Sequence, residues 1–178
     1  MIRPAAKAKL IVGLLSGDRD LLAEAARRLG HQLGALDSSS DVHPFVGTSY
    51  YEDELGTEVW RQFLSTQELI RIDRLPEIKR LTNDLEFRFC DDLALSHDKR
   101  PINLDPGYLT LSKLVLATTK DYSHRLYLGQ GIFGEVTLHF ESGEWKAWPW
   151  TYPDYATKTY HGWLTATRER LKSQLREP

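Results

Sequence analysis

The chain has 178 residues, 41% of them hydrophobic and 27% charged, which is enough to bury one core in a soluble globular protein. Its formal net charge of −2 excludes a global electrostatic pull toward nucleic acid or an anionic membrane, so any phosphate recognition has to be local. Cys90 is the single cysteine, which excludes an internal disulfide and a cysteine-based zinc cluster and fits a reduced, cytoplasmic setting. One domain over residues 1–178 is the default organisation at this length.

The apolar run Leu10 to Leu15 is too short to span a bilayer and reads as the core of a first strand, Lys9 to Ser16, buried on both faces. Asp18 is placed to cap the next segment. From Asp18 to Leu33 the apolar positions Leu21, Leu22, Ala25, Leu29 and Leu33 recur at helical steps, and Gly34 stands where a helix ends. Asp37 to Pro44 reads as a polar loop, Phe45 to Leu55 as a second strand closed by Gly56, and Glu58 to Leu64 as a third. Leu75-Pro76 opens a helix whose buried stripe is Leu75, Ile78, Leu81, Leu85 and Phe89.

A strand at Asn103 to Thr110 then completes the order of a ferredoxin-like βαββαβ unit. Leu109 to Thr118 satisfies both a strand and a helix pattern. His124 to Leu128 and Ile132 to Phe140 predict an antiparallel hairpin, Ser142-Gly143 a turn into Glu144 to Trp148, and Thr159 to Leu175 a closing helix. The fold class expected is α/β or α+β, a ferredoxin-like unit extended by a C-terminal antiparallel hairpin and that helix.

Gly129 to Val136, GQGIFGEV, matches the phosphate-covering loop of protein kinases. The chain downstream lacks the catalytic and metal-binding motifs a kinase requires, and EVTLHF has strand rather than helix periodicity, so a glycine-rich hairpin is expected. Along Ile132 to Phe140, alternation puts Glu135 and His139 on one face, about 13 Å apart by the strand rise, too far for direct acid/base partnership; a solvated face is expected. Asp105-Pro106-Gly107-Tyr108 reads as a turn. Tyr50 to Glu54 reads as an acidic edge, on which Glu52 and Glu54 share a face that a divalent cation could bridge.

Thr118, Lys120, His124 and Arg125 gather donors and cations in one short loop, which suits phosphate or carboxylate. Trp145, Trp148, Trp150, Tyr152 and Tyr155 are the densest aromatic group; they read both as a strap over the core and as a wall for a ligand.

The segment from Asn103 to Leu138, followed by WPWTYPDY and preceded by PFVGTSYYEDELG, resembles an uncharacterised bacterial domain-of-unknown-function family of about this length, over nearly the whole chain. The resemblance implies a one-domain, soluble bacterial protein, and some relatives carry a GTP-binding label. It implies no catalytic residue and no cofactor.

The functional expectation is binding of, or action on, a phosphorylated or nucleotide-like small molecule at a site built from residues 105–155. Lys113, Thr118, Lys120, His124 and Arg125 would hold the anion, Trp150 and Tyr152 the organic part, and Asp105 and Glu135 are the acid/base candidates. On this reading Arg125→Ala loses ligand while keeping its stability. The alternative is a non-catalytic RNA- or protein-interaction module; the absence of an RNP-type aromatic signature and of net basic charge speaks against RNA.

Overall fold

The computed structural model describes Met1, residues 4–45, Leu55 and residues 58–176. In chain order the elements are β1 (Ala8–Ser16), α1 (Arg19–Leu33), β2 (Leu36–Ser39), β3 (His43–Pro44), β4 (Trp60–Ile70), α2 (Leu75–Asp92) and β5 (Ile102–Leu109). There follow β6 (Lys113–Thr118), β7 (Arg125–Gly129), β8 (Ile132–Glu141), β9 (Glu144–Ala147), the single-turn α3 (Pro153–Ala156) and α4 (His161–Gln174). The sheet runs β2-β4-β1-β5-β6-β8-β7, antiparallel throughout, with β3 added to β4 and β9 to β8.

The first four strands of that path, with α1 and α2 as crossovers, have the order of a ferredoxin-like βαββαβ unit, and β6 to β9 extend the sheet beyond β5. The protein is an α+β fold. Every residue of β1 is buried, as its unbroken apolar run requires of a central strand. Asp18 caps α1 by accepting from the Asp20 amide at 2.8 Å, and Gly34 closes the helix at φ 98°, which a residue without Cβ adopts readily. One sheet face packs Val12, Leu14 and Leu104 against Leu22 and Leu29 of α1 and Leu85 and Phe89 of α2. The other packs Ile11, Phe63 and Leu109 against Tyr155, Tyr160, Leu164 and Leu171. No described helix is long and apolar enough to cross a membrane.

The structure corrects several expectations. Asp37 to Pro44 is not wholly loop, because its polar residues form the short strands β2 and β3 along β4. Most of the expected strand Phe45 to Leu55, with Glu52 and Glu54, lies outside the described residues. The third strand is longer than expected and reaches Ile70. Residues 113–118 are strand, since β5 and β8 both pair with them and backbone pairing decides what periodicity left open. Asp105-Pro106-Gly107 is no turn but the middle of β5. GQGIFGEV is the expected hairpin: Gln130 and Gly131 take φ of 57° and 76° at its tip.

Pro106 explains how the sheet opens. The β5–β6 ladder begins only at Gly107 opposite Leu116 and runs to Leu109 opposite Leu114. Continued by two residues, it would set Pro106 opposite Ala117 and Asp105 opposite Thr118. Pro106 offers no N–H to such a ladder, so the two strands separate there. At the pairing side of the split Gly107 is indispensable, because a Cβ would stand 2.4 Å from the Val115 carbonyl oxygen.

Candidate functional site

The split between β5 and β6 holds a cleft of about 530 Å³. The strand edge it exposes is capped by side chains of α2: Glu86 Oε1 accepts from the Leu104 amide at 2.6 Å, and Lys79 Nζ donates to the Leu104 carbonyl at 3.0 Å. Helix side chains thus replace the missing neighbouring strand and satisfy backbone groups that burial would otherwise penalise. Asn83 and Phe87 continue this wall, residues 116–120 and Tyr122 form the opposite one, and Tyr152 to Tyr155 close one side.

Arg61 of β4 stands at the inner end. Its side chain is 4% exposed; Nη2 donates to Asp154 Oδ2 at 2.8 Å, and Nη1 lies 3.9 Å from Asp105 Oδ2. Phe45, Phe63 and Tyr155 ring the guanidinium at 5.4 to 5.5 Å. Gly13 of β1 makes room for it, since a Cβ there would meet Arg61 Nη1 at 3.0 Å and the Tyr155 hydroxyl at 3.1 Å. Burial opposes the Arg61 charge, but its anionic neighbours, Asp154 and Asp105 among them, more than offset it, so its pKa is raised. Burial likewise pushes the Tyr155 hydroxyl well above its ordinary range, which leaves it a neutral donor. Arg61 Nε, Arg61 Nη1 and Tyr155 Oη are all buried and have no hydrogen-bond partner among the described residues.

Six of the nine residues singled out from sequence line this cleft: Asp105, Thr118, Lys120, Arg125, Glu135 and Tyr152. Asp105, 26% exposed, accepts from Asn103 Nδ2 at 2.6 Å and lies 3.4 Å from Lys79 Nζ. Arg125 is built into the wall: Nε donates to Glu135 Oε2 at 2.9 Å, Nη1 to the Lys120 carbonyl at 3.0 Å and Nη2 to the Tyr152 hydroxyl at 3.3 Å. His124 reaches the same Glu135 oxygen at 3.0 Å from behind. Lys113 sits at the far end of β6 opposite His139, roughly 16 Å along the strand from Thr118 by the strand rise.

The expectation of a solvated face at Glu135 is wrong. Glu135 and Thr137 are buried because the strap after β9 covers them, with Trp150 Nε1 donating to the Val136 carbonyl at 3.0 Å and Thr151 Oγ1 to the Thr137 carbonyl at 2.6 Å. Trp150 stacks on His124 and Trp148, both at 5.3 Å, and His124 on Tyr122 at 6.1 Å. These aromatic faces cover one another, and of this stack Tyr122 borders the cleft, as Tyr152 does from the strap.

Sequence reasoning missed Arg61, Lys79, Glu86 and Gly13. Two signals could have found them. An isolated glycine within a buried strand marks a close approach, and Lys79, Thr82, Glu86 and Cys90 recur at helical steps beside the apolar stripe of α2.

Burial raises the Glu86 pKa, against the opposing pull of Lys79, the Leu104 amide and Arg100. The folded protein therefore holds this proton more tightly than the unfolded chain, and stability falls as pH rises through the raised pKa. Glu86→Gln keeps the acceptor for Leu104 and removes the buried charge. It is expected to raise the thermal midpoint at pH 7, with the advantage shrinking as pH falls to the unfolded carboxyl range; a gain that grows on acidification would contradict this account.

Fold and cleft together define an α+β protein whose ferredoxin-like sheet is split around a charged, aromatic-walled site. The chain belongs to the family described as Domain of unknown function (DUF4416), which matches residues 6–171. No curated protein and no solved structure matches it.

Proposed function

We propose that the protein binds a phosphorylated or nucleotide-like small molecule in the cleft between β5 and β6. The observation that carries this reading is the set of three buried, unpartnered polar atoms, Arg61 Nε and Nη1 and Tyr155 Oη, at the inner end of a cleft of ligand size. Each costs about 1–3 kcal/mol when left unsatisfied, and a bound acceptor recovers that energy. The phosphate lies at the mouth, where Thr118, Thr119 and Lys120 stand in the wall. Of the two acid/base candidates Asp105 opens to the ligand, whereas Glu135 positions Arg125.

The test is thermal stabilisation by nucleoside monophosphates and sugar phosphates, repeated on Tyr155→Phe. A ligand at about 100 times its Kd stabilises by roughly 2.7 kcal/mol, or about 5–10 °C at this chain length. Tyr155→Phe deletes an unsatisfied hydroxyl, so the unliganded variant should match or exceed the parent in stability while binding more weakly. No shift across the panel, or full binding by a destabilised variant, would refute the reading.

One observation favours a second reading, a protein-interaction module. The edge strand β7 leaves Leu126 74% and Tyr127 63% exposed, and among the described residues it pairs only with β8. Such an edge can take a strand from a partner. Leu126→Lys should then abolish self-association or partner capture, and association unchanged by the added charge argues against it.

A further inference from the structure

The inner end of the cleft distinguishes one kind of ligand group from another. Arg61 already gives Nη2 to Asp154, and its Nη1 stands 3.9 Å from Asp105, so a phosphate seated on this guanidinium would face two carboxylates. An uncharged acceptor meets no such repulsion. Of the orphaned donors, Arg61 Nη1 and the Tyr155 hydroxyl lie together beside Gly13, and a carbonyl oxygen with two lone pairs can accept from both, where a ring nitrogen accepts from one. The donors therefore call for a carbonyl.

Beside them is an acceptor. Arg61 Nη1 and Asp105 Oδ2 are too far apart to bond each other, and each Asp105 oxygen retains a lone pair beyond its contacts with Asn103 and Lys79. A donor and an acceptor side by side with a gap between them fit an edge that presents C=O next to N–H. Phe45, which borders the cleft beside the guanidinium, supplies a flat apolar surface of the kind that a ring requires.

Resting on the assignment of the cleft as a nucleotide-like site, we propose that its inner end selects the lactam edge of a keto nucleobase, such as uracil or hypoxanthine. The carbonyl accepts from Arg61 and Tyr155, the adjacent ring N–H donates to Asp105, and the phosphate points outward to residues 118–120. An amino base places a ring nitrogen where the carbonyl belongs. Cytosine has a carbonyl, but the neighbouring ring position is an acceptor that opposes Asp105.

Inosine and adenosine 5′-monophosphates, and likewise the uridine and cytidine pair, differ at this edge, so calorimetric titration of the intact protein with all four isolates it. The keto member of each pair should bind about tenfold tighter or more. Asp105→Asn, close to isosteric, should cut that preference to less than about threefold while the variant stays folded. Equal binding within each pair by the parent protein overturns the lactam assignment and leaves the cleft assignment standing. No binding by any of the four overturns both. A preference that survives unchanged in Asp105→Asn removes Asp105 from the recognition.

Discussion

Arg125→Ala is expected to destabilise the protein by roughly 3–5 kcal/mol, lowering the thermal midpoint by about 10 °C or more. From sequence alone this residue reads as an exposed anion holder that could be removed at little cost. Its surroundings give the opposite expectation. The side chain is 4% exposed, its partner carboxylate on Glu135 is 3% exposed, and their 2.9 Å contact joins β7 to β8 on the covered face of the sheet. The same guanidinium holds the Lys120 carbonyl and the Tyr152 hydroxyl and lies 4.6 Å from the centre of the Tyr122 ring, so with Glu135 three segments of the cleft wall meet on it. Without it Glu135 keeps His124 and Thr137 as neighbours but loses its permanent cation. An uncompensated buried charge accounts for most of the loss, and truncating a packed side chain adds to it. Urea unfolding of Arg125→Ala beside Arg125→Met/Glu135→Leu separates these contributions. The double variant should recover most of the stability, because an apolar pair of similar volume needs no hydration. A single variant that loses less than about 1 kcal/mol would show that the pair is solvated and the wall looser than described.

Much of the architecture is legible in the sequence because it rests on local signals. The unbroken apolar run of β1, the Asp18 cap and Gly34 stop of α1, and Leu75-Pro76 at the start of α2 each specify their element within a few residues. Once these are in order, the two helical crossovers that return the chain to the same sheet give the ferredoxin-like path. What escaped notice depends on distant neighbours. The polar residues 37–39 look like loop until β4 is beside them, and Asp105-Pro106-Gly107 looks like a turn until β1 pairs along its whole length. The site divides in the same way. Thr118, Lys120 and Arg125 are close in the chain and can be read as a cluster. Arg61 and Lys79 come from separate elements far from that cluster in the chain, and only the split between β5 and β6 brings them to one cleft with it.

Arg61 offers the sharpest separation of stability from binding. Arg61→Met leaves Asp154, 6% exposed, without the guanidinium that pairs with it, and should cost about 3–5 kcal/mol. Arg61→Met/Asp154→Leu replaces the whole pair by apolar groups and removes two unpartnered donor atoms, so it should return to the parent's stability or exceed it by about 1–4 kcal/mol. Its cleft, however, keeps only the Tyr155 hydroxyl of the donors that a ligand carbonyl requires. The double variant is therefore expected to fold well and bind no nucleotide, whereas a residue needed only for packing would regain both properties together. If the stable double variant still shows the parent's calorimetric affinity, Arg61 does not contact the ligand, and the orphaned donors at the inner end belong to the protein's own strain rather than to recognition.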